Sequence, residues 1–465
     1  MRRLIKGIIS VICSALYLKL RMLILLLILL TLVLIIIAII RFDIHPFMAL
    51  FVGALLYGLL AGMPAAVIIK SIEDGFGGVV GRIGRVILLG IIMGTFLERT
   101  GGALVIAQKI LSWIGEKSVM LAMMITGWFM SIPVFGDSAF VMMNPINKSL
   151  SYKSKVSFAG TTIALSLGVT ASHSLVPPTP GPIATAGILG ADLGLVIFWG
   201  LIISALSLIP CFFFTKYYVS RFSLTPQMAH VETVQTKRNY PSLGKSSLPV
   251  IFPLLLIILA SIANYPTSPF GNNVFADIIS FLGNPVIALL IGAFLSFFVP
   301  PKFDRQLLSS TGWIGEALVI AAPIILITGA GGVFGKMLQN SGVAELVTTN
   351  INAASWGLLL PFAMAMVLKT AQGSSTVAMI TTASIVAPLL PTLGLDSEMM
   401  VVFATLAVGA GALGVSHAND SFFWVMTQMT GMNIKVGNQT HSLGTLILGV
   451  TAVTITYFFS LFFRA

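Results

Sequence analysis

Residues 22–40 read MLILLLILLTLVLIIIAII, nineteen residues without a single charge. A helix needs about 20 apolar residues to cross the hydrocarbon core of a bilayer, so this stretch predicts a membrane-spanning helix. The rest of the chain has the same character, because 57% of its 465 residues are hydrophobic and only 9% are charged. Soluble domains carry about 25% charged residues. The composition therefore excludes a soluble protein and predicts an all-α protein that crosses the membrane many times.

The formal net charge is +11, yet the basic residues are clustered rather than spread along the chain. Basic residues concentrate in the cytoplasmic segments of membrane proteins, so both clusters are predicted to be cytoplasmic. This segregation argues against a nucleic-acid-binding surface and for a multi-pass protein of the cytoplasmic (inner) membrane. The first cluster precedes the apolar run and the second lies in the main polar connection: Arg2, Arg3, Lys6, Lys19 and Arg21; Lys216, Arg221, Lys237, Arg238 and Lys245.

The polar connection divides the chain into two apolar halves. No small-residue cleavage site followed by polar sequence appears near the start, so the first span is predicted to be an uncleaved anchor. Cys13 and Cys211 are too few for a metal site or a disulfide framework, and no cofactor is expected. The predicted segments are a basic region with the first span (1–44), a first repeat (45–215), a cytoplasmic polar loop (216–247) and a second repeat (248–465).

Two internal matches indicate that the halves are related. A block beginning at Gly90 recurs at Gly331 with a constant offset, and five of its fourteen positions are identical. Its glycines have the GxxxG spacing that lets helices approach closely. A Ser-His dipeptide at 172–173 recurs at 416–417 with a similar separation. The matches favour a duplication in which each half contains a small-residue helix, a Gly/Ser break and then a Ser-His break.

The breaks point to a binding site. Val176–Pro182 has four prolines in seven residues and cannot be a continuous helix, although apolar sequence flanks it. Non-helical backbone at membrane depth is tolerated only where protein or a water-filled cavity surrounds it. Gly373–Thr376 would expose N–H groups and hydroxyls at a helix start, as a half-helix does when it holds a carboxylate. Interrupted segments at corresponding positions of two halves are typical of a transporter's substrate site.

Ionisable residues inside apolar runs are costly and suggest function. Asp137 and Asp420 are candidate proton acceptors, and His173 and His417 occupy matching places in the two halves. Each carboxylate could instead cap a broken helix, and each histidine could be an ordinary buried hydrogen-bonding group. Lys369 either extends to the membrane interface or attracts an anionic substrate.

Three motifs resemble those of the gluconate:proton symporter family (GntP), part of the ion transporter superfamily. His173–Pro182 is similar to the family's H-x-x-x-P-P-x-P-G-P, 373–378 to its G-S-A-T-V-A, and 416–424 to its S-H-x-N-D-x-x-F-W. The resemblance covers nearly the whole chain after the N-terminal extension. It implies two inverted repeats with re-entrant hairpins and broken helices, an elevator-type movement, and proton-coupled transport of sugar acids or other small hydroxy or amino acids.

The resemblance also assigns residues to the site. Thr179, Ser421 and Lys369 stand where gluconate carriers tend to have histidine, proline and arginine. An arginine fork and a lysine point charge hold a carboxylate differently, so the predicted substrate is gluconate, glycerate or a related hydroxy acid. The residues predicted to bind substrate are Ser138, His173, Thr179, Gly373, Ser374, Ser375, Thr376, His417 and Asn419, and those predicted to couple protons are Asp137 and Asp420.

Two alternatives stay open. In a sodium-coupled carboxylate transporter, unwound carbonyls together with Ser, Asn and Asp oxygens would enclose the cation. An intramembrane hydrolase would pair Ser138 or Ser416 with His173 or His417, but an enzyme needs one asymmetric site and the Ser-His element is duplicated. The expected partners are a small carboxylate, protons or sodium, and the lipid bilayer, without nucleic acid or a bound metal. The sequence leaves the assembly open between a monomer and a homodimer.

Overall fold

The computed structural model describes residues 26–27, 30–31, 33–35, 37–39, 41–42, 44–115, 118–224, 240–264, 269–271, 273–341, 357–417 and 420–463. The described residues form helices and connecting turns, without a strand. The predicted first span lies partly outside them, although Ile35 within it is helical and packs against Gly53. The all-α prediction is therefore confirmed for the described part of the chain.

The helices divide at the polar connection. In the first half they are α1 (Pro46–Leu60), α2 (Ala65–Val79), a π-helical segment (Val80–Gly84), α3 (Arg85–Thr100), α4 (Gly102–Ile114), α5 (Val119–Met130), α6 (Gly136–Ser154), α7 (Phe158–Leu175), α8 (Pro180–Leu189) and α9 (Leu193–Tyr217). In the second half they are α10 (Leu243–Ala263), α11 (Val274–Leu282), α12 (Pro285–Ser296), α13 (Trp313–Asn340), α14 (Leu359–Gln372), α15 (Ser375–Val386), α16 (Glu398–Leu413), α17 (Ser421–Thr430), α18 (Ile434–Gly437), a second π-helical segment (Asn438–Ser442) and α19 (Leu443–Ser460).

Several helices are long and apolar enough to cross a membrane. Within the described residues there are five of them, or six if the bent pair α11–α12 is one span, with a bend of 63°. Further apolar helices have only 10–17 residues, because the breaks divide apolar runs into half-length pieces. The five long helical stretches are Ala65–Thr100, Leu193–Arg221, Leu243–Ala263, Arg305–Asn340 and Ile434–Phe463.

The order of the helices recurs along the chain. Helices α5 and α14 begin at Val119 and Leu359, and α7 and α16 begin at Phe158 and Glu398, so the two pairs have the same separation in sequence. The broken helices α8 and α17 correspond with nearly that separation, since they begin at Pro180 and at position 421. Across the halves, α8 packs against α15 and α6 packs against α17. Each half thus contributes broken helices that contact those of the other half.

Helices α7 and α16 form the centre of the molecule. Sixteen of the 18 residues of α7 and 15 of the 16 residues of α16 are buried. A helix that is apolar on every side is typical of such a position, enclosed by protein. Helix α5 covers α7, and α14 covers α16. Close approach requires glycine here, because a Cβ at Gly168 of α7 would lie 2.0 Å from the Met124 carbonyl oxygen.

The chain leaves the helical conformation where the residues require it. Helix α7 ends before the proline-rich stretch and α8 begins at Pro180, at the first-turn position that tolerates proline. Helix α14 ends at Gly373, whose φ of 88° favours glycine. The predicted Ser-His breaks are only half correct. Ser416-His417 lies between α16 and α17, but Ser172-His173 is helical, because the prolines that end α7 come later.

The GxxxG glycines of the first half contact the breaks directly. A Cβ at Gly90 would lie 3.0 Å from the Pro178 carbonyl oxygen, and one at Gly94 would lie 2.4 Å from the Pro133 carbonyl oxygen. Both carbonyls belong to non-helical connections. Helix α3 therefore supports the two broken segments of its own half, which is a more specific role than ordinary helix packing.

Candidate functional site

Four interrupted segments surround a cavity of about 340 Å³. They are the start of α6, the last turns of α7, the α14–α15 junction and the start of α17. Pockets for small molecules have volumes of roughly 300–1,000 Å³, so this one suits a small solute. Its lining comprises Phe135, Gly136, Asp137, Val169, Thr170, His173, Gln372, Gly373, Ser374, Ser375, Thr376, Asp420, Ser421 and Phe422.

The cavity brings together residues from both halves of the chain. Ser138, Thr179 and His417 do not line it, and Asn419 lies outside the described residues. The sequence-predicted residues that do line it are Asp137, His173, Gly373, Ser374, Ser375, Thr376 and Asp420.

Two of the residues outside the lining have local structural contacts. The Thr179 hydroxyl donates to the Val176 carbonyl at 2.7 Å and lies at the N-cap of α8. The His417 Nε2 is 2.8 Å from the Thr370 carbonyl, which can only accept, so Nε2 carries the proton. These contacts fit the structural alternative for His417 and show Thr179 stabilising the proline-rich break.

Three helices begin at the cavity, and the first-turn N–H groups of a helix have no intrahelical acceptor. Helix α6 begins after Phe135 without a side-chain cap. In α15, Ser374 caps by accepting from the Val377 N–H at 3.3 Å, and in α17 Asp420 accepts from the Phe422 N–H at 3.0 Å. The remaining N–H groups and the partial positive charge of helix N-termini favour an anion in this space.

A buried ion pair lies at one edge of the cavity. The Lys369 Nζ is 2.6 Å from Asp420 Oδ2, and the two residues are only 2% and 7% exposed. Lys369 also donates to the Gly373 carbonyl, so it ties the end of α14 to the start of α17. The idea that Lys369 extends to the membrane interface is therefore wrong. The pair also gives Asp420 two roles, since the same carboxylate caps α17.

A chain of hydrogen bonds continues from Asp420 into the protein. The Ser416 hydroxyl donates to Asp420 Oδ2, and its oxygen is 3.1 Å from His441 Nε2. On the other side of the imidazole, Nδ1 is 2.9 Å from the Ser166 hydroxyl. Ser416 and His441 are both buried. Helix α7 of the first half is thereby linked to the ion pair of the second half.

The directions of these bonds follow from donor counting. An ionised Asp420 can only accept, so Ser416 uses its single proton there and must accept from His441. Nε2 of His441 then carries the proton and Nδ1 accepts from Ser166. In a hydrolase triad the carboxylate would contact Nδ1 of the histidine, whereas here Asp420 contacts the serine. The arrangement is a structural relay and not an activated nucleophile.

His441 is the site-region residue that the sequence analysis missed. It lies in the π-helical segment before α19, and π-helical turns occur frequently at functional sites. His173 and His417 attracted attention because they recur, and His441 has no such counterpart. The sequence feature that could have indicated His441 is that an ionisable residue lies next to the apolar residues 443–450.

His173 remains available to a ligand. It lines the cavity, its ring centroid is 6.2 Å from that of Phe135, and its buried Nδ1 has no hydrogen-bond partner among the described residues. Buried polar atoms without a partner are uncommon in proteins. A hydroxyl or carboxyl group in the cavity would supply one.

His441→Phe is expected to destabilise the protein. The ring would keep its contacts with Phe422 and Phe423, whose centroids lie 5.6 and 6.2 Å away. The Ser166 hydroxyl would lose its partner, and the Ser416 hydroxyl would keep only its bond to Asp420. Each buried group left without a partner costs roughly 1–3 kcal/mol. Thermal unfolding in detergent measures the loss. The exposed helix cap His45 gives a control, His45→Asn, which keeps a capping side chain; equal melting of both variants would contradict the relay.

Comparison with known proteins gives a consistent result. The sequence profile described as GntP family permease matches residues 23–462. A gluconate permease of Pseudomonas aeruginosa is 34% identical over 91% of this chain and 94% of its own length. The D-serine transporter DsdX of Escherichia coli K12 is 30% identical over 91% of this chain and 95% of its own length.

A solved structure has a similar fold. The crystal structure of the Alcanivorax borkumensis YdaH transporter, described as having an unusual topology, matches with a TM-score of 0.63 over 90% of this chain and 99% of its own. The sequence identity is 11%, so this likeness concerns the fold alone.

Proposed function

The chain belongs to the GntP family of permeases, and on that basis we propose that it is a secondary active transporter that carries a small organic anion across the cytoplasmic membrane together with a proton. Membership makes it a multi-pass membrane permease and not an enzyme. The observation that carries the finer proposal is the Lys369–Asp420 pair beside a cavity of broken helices.

The proposed substrate is a small hydroxy acid such as gluconate or glycerate. The relatives are named for gluconate and for D-serine, molecules that share a carboxylate and at least one hydroxyl group. The carboxylate would lie at the N-termini of α15 and α17, near the hydroxyls of Ser374, Ser375 and Thr376. His173 would meet a hydroxyl group of the substrate. Ser138, Thr179 and His417 would act indirectly, by shaping the broken segments, and Asn419 belongs to the same proposed site.

The charges around the cavity support proton coupling. Among the described residues that line or border it, Lys369 is the cation and Asp137 and Asp420 are the carboxylates. With both acids ionised the site has a net charge of −1, which opposes an anionic substrate. A proton on Asp420 would release Lys369 to pair with the substrate carboxylate, and a proton on Asp137 would remove the remaining repulsion. Binding of anion and proton would then be linked.

Sodium coupling is the alternative. Asp420 Oδ2 already accepts from the Lys369 ammonium and the Ser416 hydroxyl, and Oδ1 accepts from the backbone, so the carboxylate has little capacity for a metal cation. The Gly373 carbonyl is engaged by Lys369 as well. A sodium site would have to use Asp137 instead. This distribution of contacts favours the proton.

We also propose the architecture that the sequence suggested: two inverted repeats, 45–215 and 248–465, joined by a cytoplasmic loop at 216–247 and preceded by the anchor 1–44. The helices of the two halves begin at a nearly constant separation in sequence, which supports a duplication. Helix α6 contacts α17 and α8 contacts α15, and this reciprocal pairing supports a two-fold relationship between the halves. An elevator-type movement of the broken helices against the long ones would provide alternating access. The assembly state stays open between a monomer and a homodimer.

Uptake of a panel of radiolabelled acids into proteoliposomes tests this proposal. The panel runs from gluconate to glycerate and hydroxybutyrate, with D-serine as a zwitterionic comparison. With an imposed pH gradient and no sodium, one of the acids is expected to accumulate, and a protonophore is expected to abolish the accumulation. If accumulation requires sodium whatever the pH gradient, sodium is the coupling ion and proton coupling is contradicted. Absence of accumulation under both conditions would contradict secondary transport of this class of acid.

A further inference from the structure

A second cavity, of about 670 Å³, lies between α3, α8 and the bent pair α11–α12. Two arginines, Arg82 and Arg85, border it, and both are exposed. They belong to the helical stretch Ala65–Thr100, one of the candidate spans. An arginine near the end of a span extends its charged group to water, to a headgroup or to a partner. The cavity that this pair borders can hold such a partner.

The two guanidinium groups have no acidic partner in the described part of the chain. Arg82 Nε donates to the Gly78 carbonyl at 3.2 Å, and Arg85 donates to the Gly81 carbonyl at 3.1 Å and 2.8 Å. These bonds hold each guanidinium against its own helix. A guanidinium has five N–H groups, so most of them remain available to another acceptor.

The one acidic residue of the cavity lining is already engaged. Asp192 Oδ1 accepts from the Leu195 N–H at 2.8 Å and from the Ser261 hydroxyl at 2.6 Å, because Asp192 caps α9. The rest of the lining is apolar or neutral and includes Ser280 and Asn284. Two arginines against one carboxylate leave the lining with a formal charge of +1, and an excess of positive charge in a cleft concentrates anions.

The helix backbone at this point is also unusual. Between α2 and α3 the chain forms the π-helical segment Val80–Gly84, and π-helical turns are frequently functional. A Cβ added at Gly77, Gly78 or Gly81 would meet no atom within 4 Å. These glycines do not line the cavity, but the described residues leave their side of the helix uncovered next to the two arginines.

The cavity is predicted to open on the outer side of the membrane. Helix α3 has 16 residues between Arg85 and Thr100, or roughly 24 Å of helix, which is most of a hydrocarbon core of about 30 Å. Asp192 and Lys216 lie at opposite ends of the 25-residue α9. Because the 216–247 connection is expected to be cytoplasmic, the Asp192 end and the second cavity belong to the other side.

We propose that Arg82 and Arg85 form a second anion site that takes an oxyanion group, either a carboxylate or a phosphate, on the outer side of the protein. A guanidinium group can bind either a carboxylate or a phosphate through two parallel hydrogen bonds. A free carboxylate would come from the solute to be transported, since α8 runs from this cavity to the central site, where Gly181 lies beside Thr376. A phosphate would come from the headgroup of an outer-leaflet phospholipid.

Charge-selective thiol labelling tests the site without requiring transport. Ala191→Cys places a thiol in the cavity lining, in a chain whose Cys13 and Cys211 are replaced by alanine. The labelling rate of this thiol is measured with an anionic and with a cationic methanethiosulfonate reagent. Each labelling rate is divided by the rate at which the same reagent reacts with 2-mercaptoethanol. The anionic reagent is expected to be favoured by roughly tenfold. Arg82→Gln/Arg85→Gln should reduce this preference towards unity.

A matched charge change on the same long helix is the control. Lys70 is exposed and does not line the cavity, so Lys70→Gln should leave the labelling preference unchanged. Arg82→Lys/Arg85→Lys should retain part of the preference, since the charge remains. A preference that survives removal of both arginines would overturn the proposal.

Protection experiments then identify the source of the anion. In phosphatidylcholine vesicles, slower labelling in the presence of gluconate would support a carboxylate ligand. Slower labelling when the vesicles contain phosphatidylglycerol, together with its retention by the extracted protein in native mass spectrometry, would support a phospholipid. Either protection must disappear in Arg82→Gln/Arg85→Gln. Absence of protection by both anions would contradict a binding site, whatever the outcome of the uptake panel.

Discussion

Lys369→Met is expected to abolish uptake and to lower the free energy of unfolding by roughly 3–5 kcal/mol, because it leaves the buried Asp420 carboxylate without its partner. Two contacts disappear together: the ion pair that joins α14 to α17, and the bond from Lys369 to the Gly373 carbonyl at the end of α14. Thermal unfolding in detergent measures the loss of stability, and uptake into proteoliposomes measures the loss of transport.

The second ion pair of the described residues provides the control. Arg99 and Glu316 are 2.7 Å apart, but their side chains are 54% and 41% exposed. Exposed pairs are worth about 1 kcal/mol or less, so Arg99→Gln should melt close to the wild type and transport normally. Equal melting of Lys369→Met and Arg99→Gln would show that the buried pair does not stabilise the protein.

A double variant separates stability from function. Lys369→Met/Asp420→Asn removes both charges, and replacing a buried pair by neutral groups is often close to neutral for stability. We expect its melting temperature to recover towards the wild type while uptake remains absent, because no cation is left to hold the substrate carboxylate. Recovery of uptake by the double variant would contradict the role of Lys369 in substrate binding.

Much of the fold could be predicted because its determinants are local. The prolines of the Val176–Pro182 break and the glycine at Gly373 act on their own backbone, and both end helices as expected. Lengths were less predictable. A continuous apolar run does not reveal whether it crosses the membrane once or is divided into half-length helices. The sequence predicts many crossings, whereas only five or six helical stretches of the described residues have full spanning length.

A residue of the candidate site could be predicted only where its position depends on the sequence of its own segment. Asp137 and Gly373 line the cavity, each at a helix end that its own segment determines. The partner of Lys369 could not be read from the sequence, since Asp420 follows 51 residues later and the choice depends on how α14 packs beside α17. The contact of His441 with Ser166, 275 residues earlier, depends on tertiary packing in the same way.

Asp420→Asn is expected to keep solute exchange and to lose gradient-driven accumulation. The amide imitates the protonated carboxyl group, so Lys369 would be permanently released to hold the substrate. A pH difference of one unit corresponds to about 1.4 kcal/mol per proton, or roughly tenfold accumulation, in the wild type. The variant should accumulate nothing beyond equilibrium at any gradient. Counterflow of labelled against unlabelled acid, measured at several pH values, tests whether exchange survives and becomes independent of pH.

Substrate should also stabilise Asp420→Asn more than the wild type, because in the variant the ligand supplies the only carboxylate beside a buried cation. A ligand that binds the folded state at about 100 times its Kd adds about 2.7 kcal/mol, which a thermal shift detects. Asp137→Asn is the companion variant, since Asp137 lines the cavity but has no ion pair among the described residues. It should keep the dependence on the pH gradient if Asp420 carries the coupled proton. Full accumulation with unchanged pH dependence in Asp420→Asn would remove Asp420 from the coupling mechanism and transfer that role to Asp137.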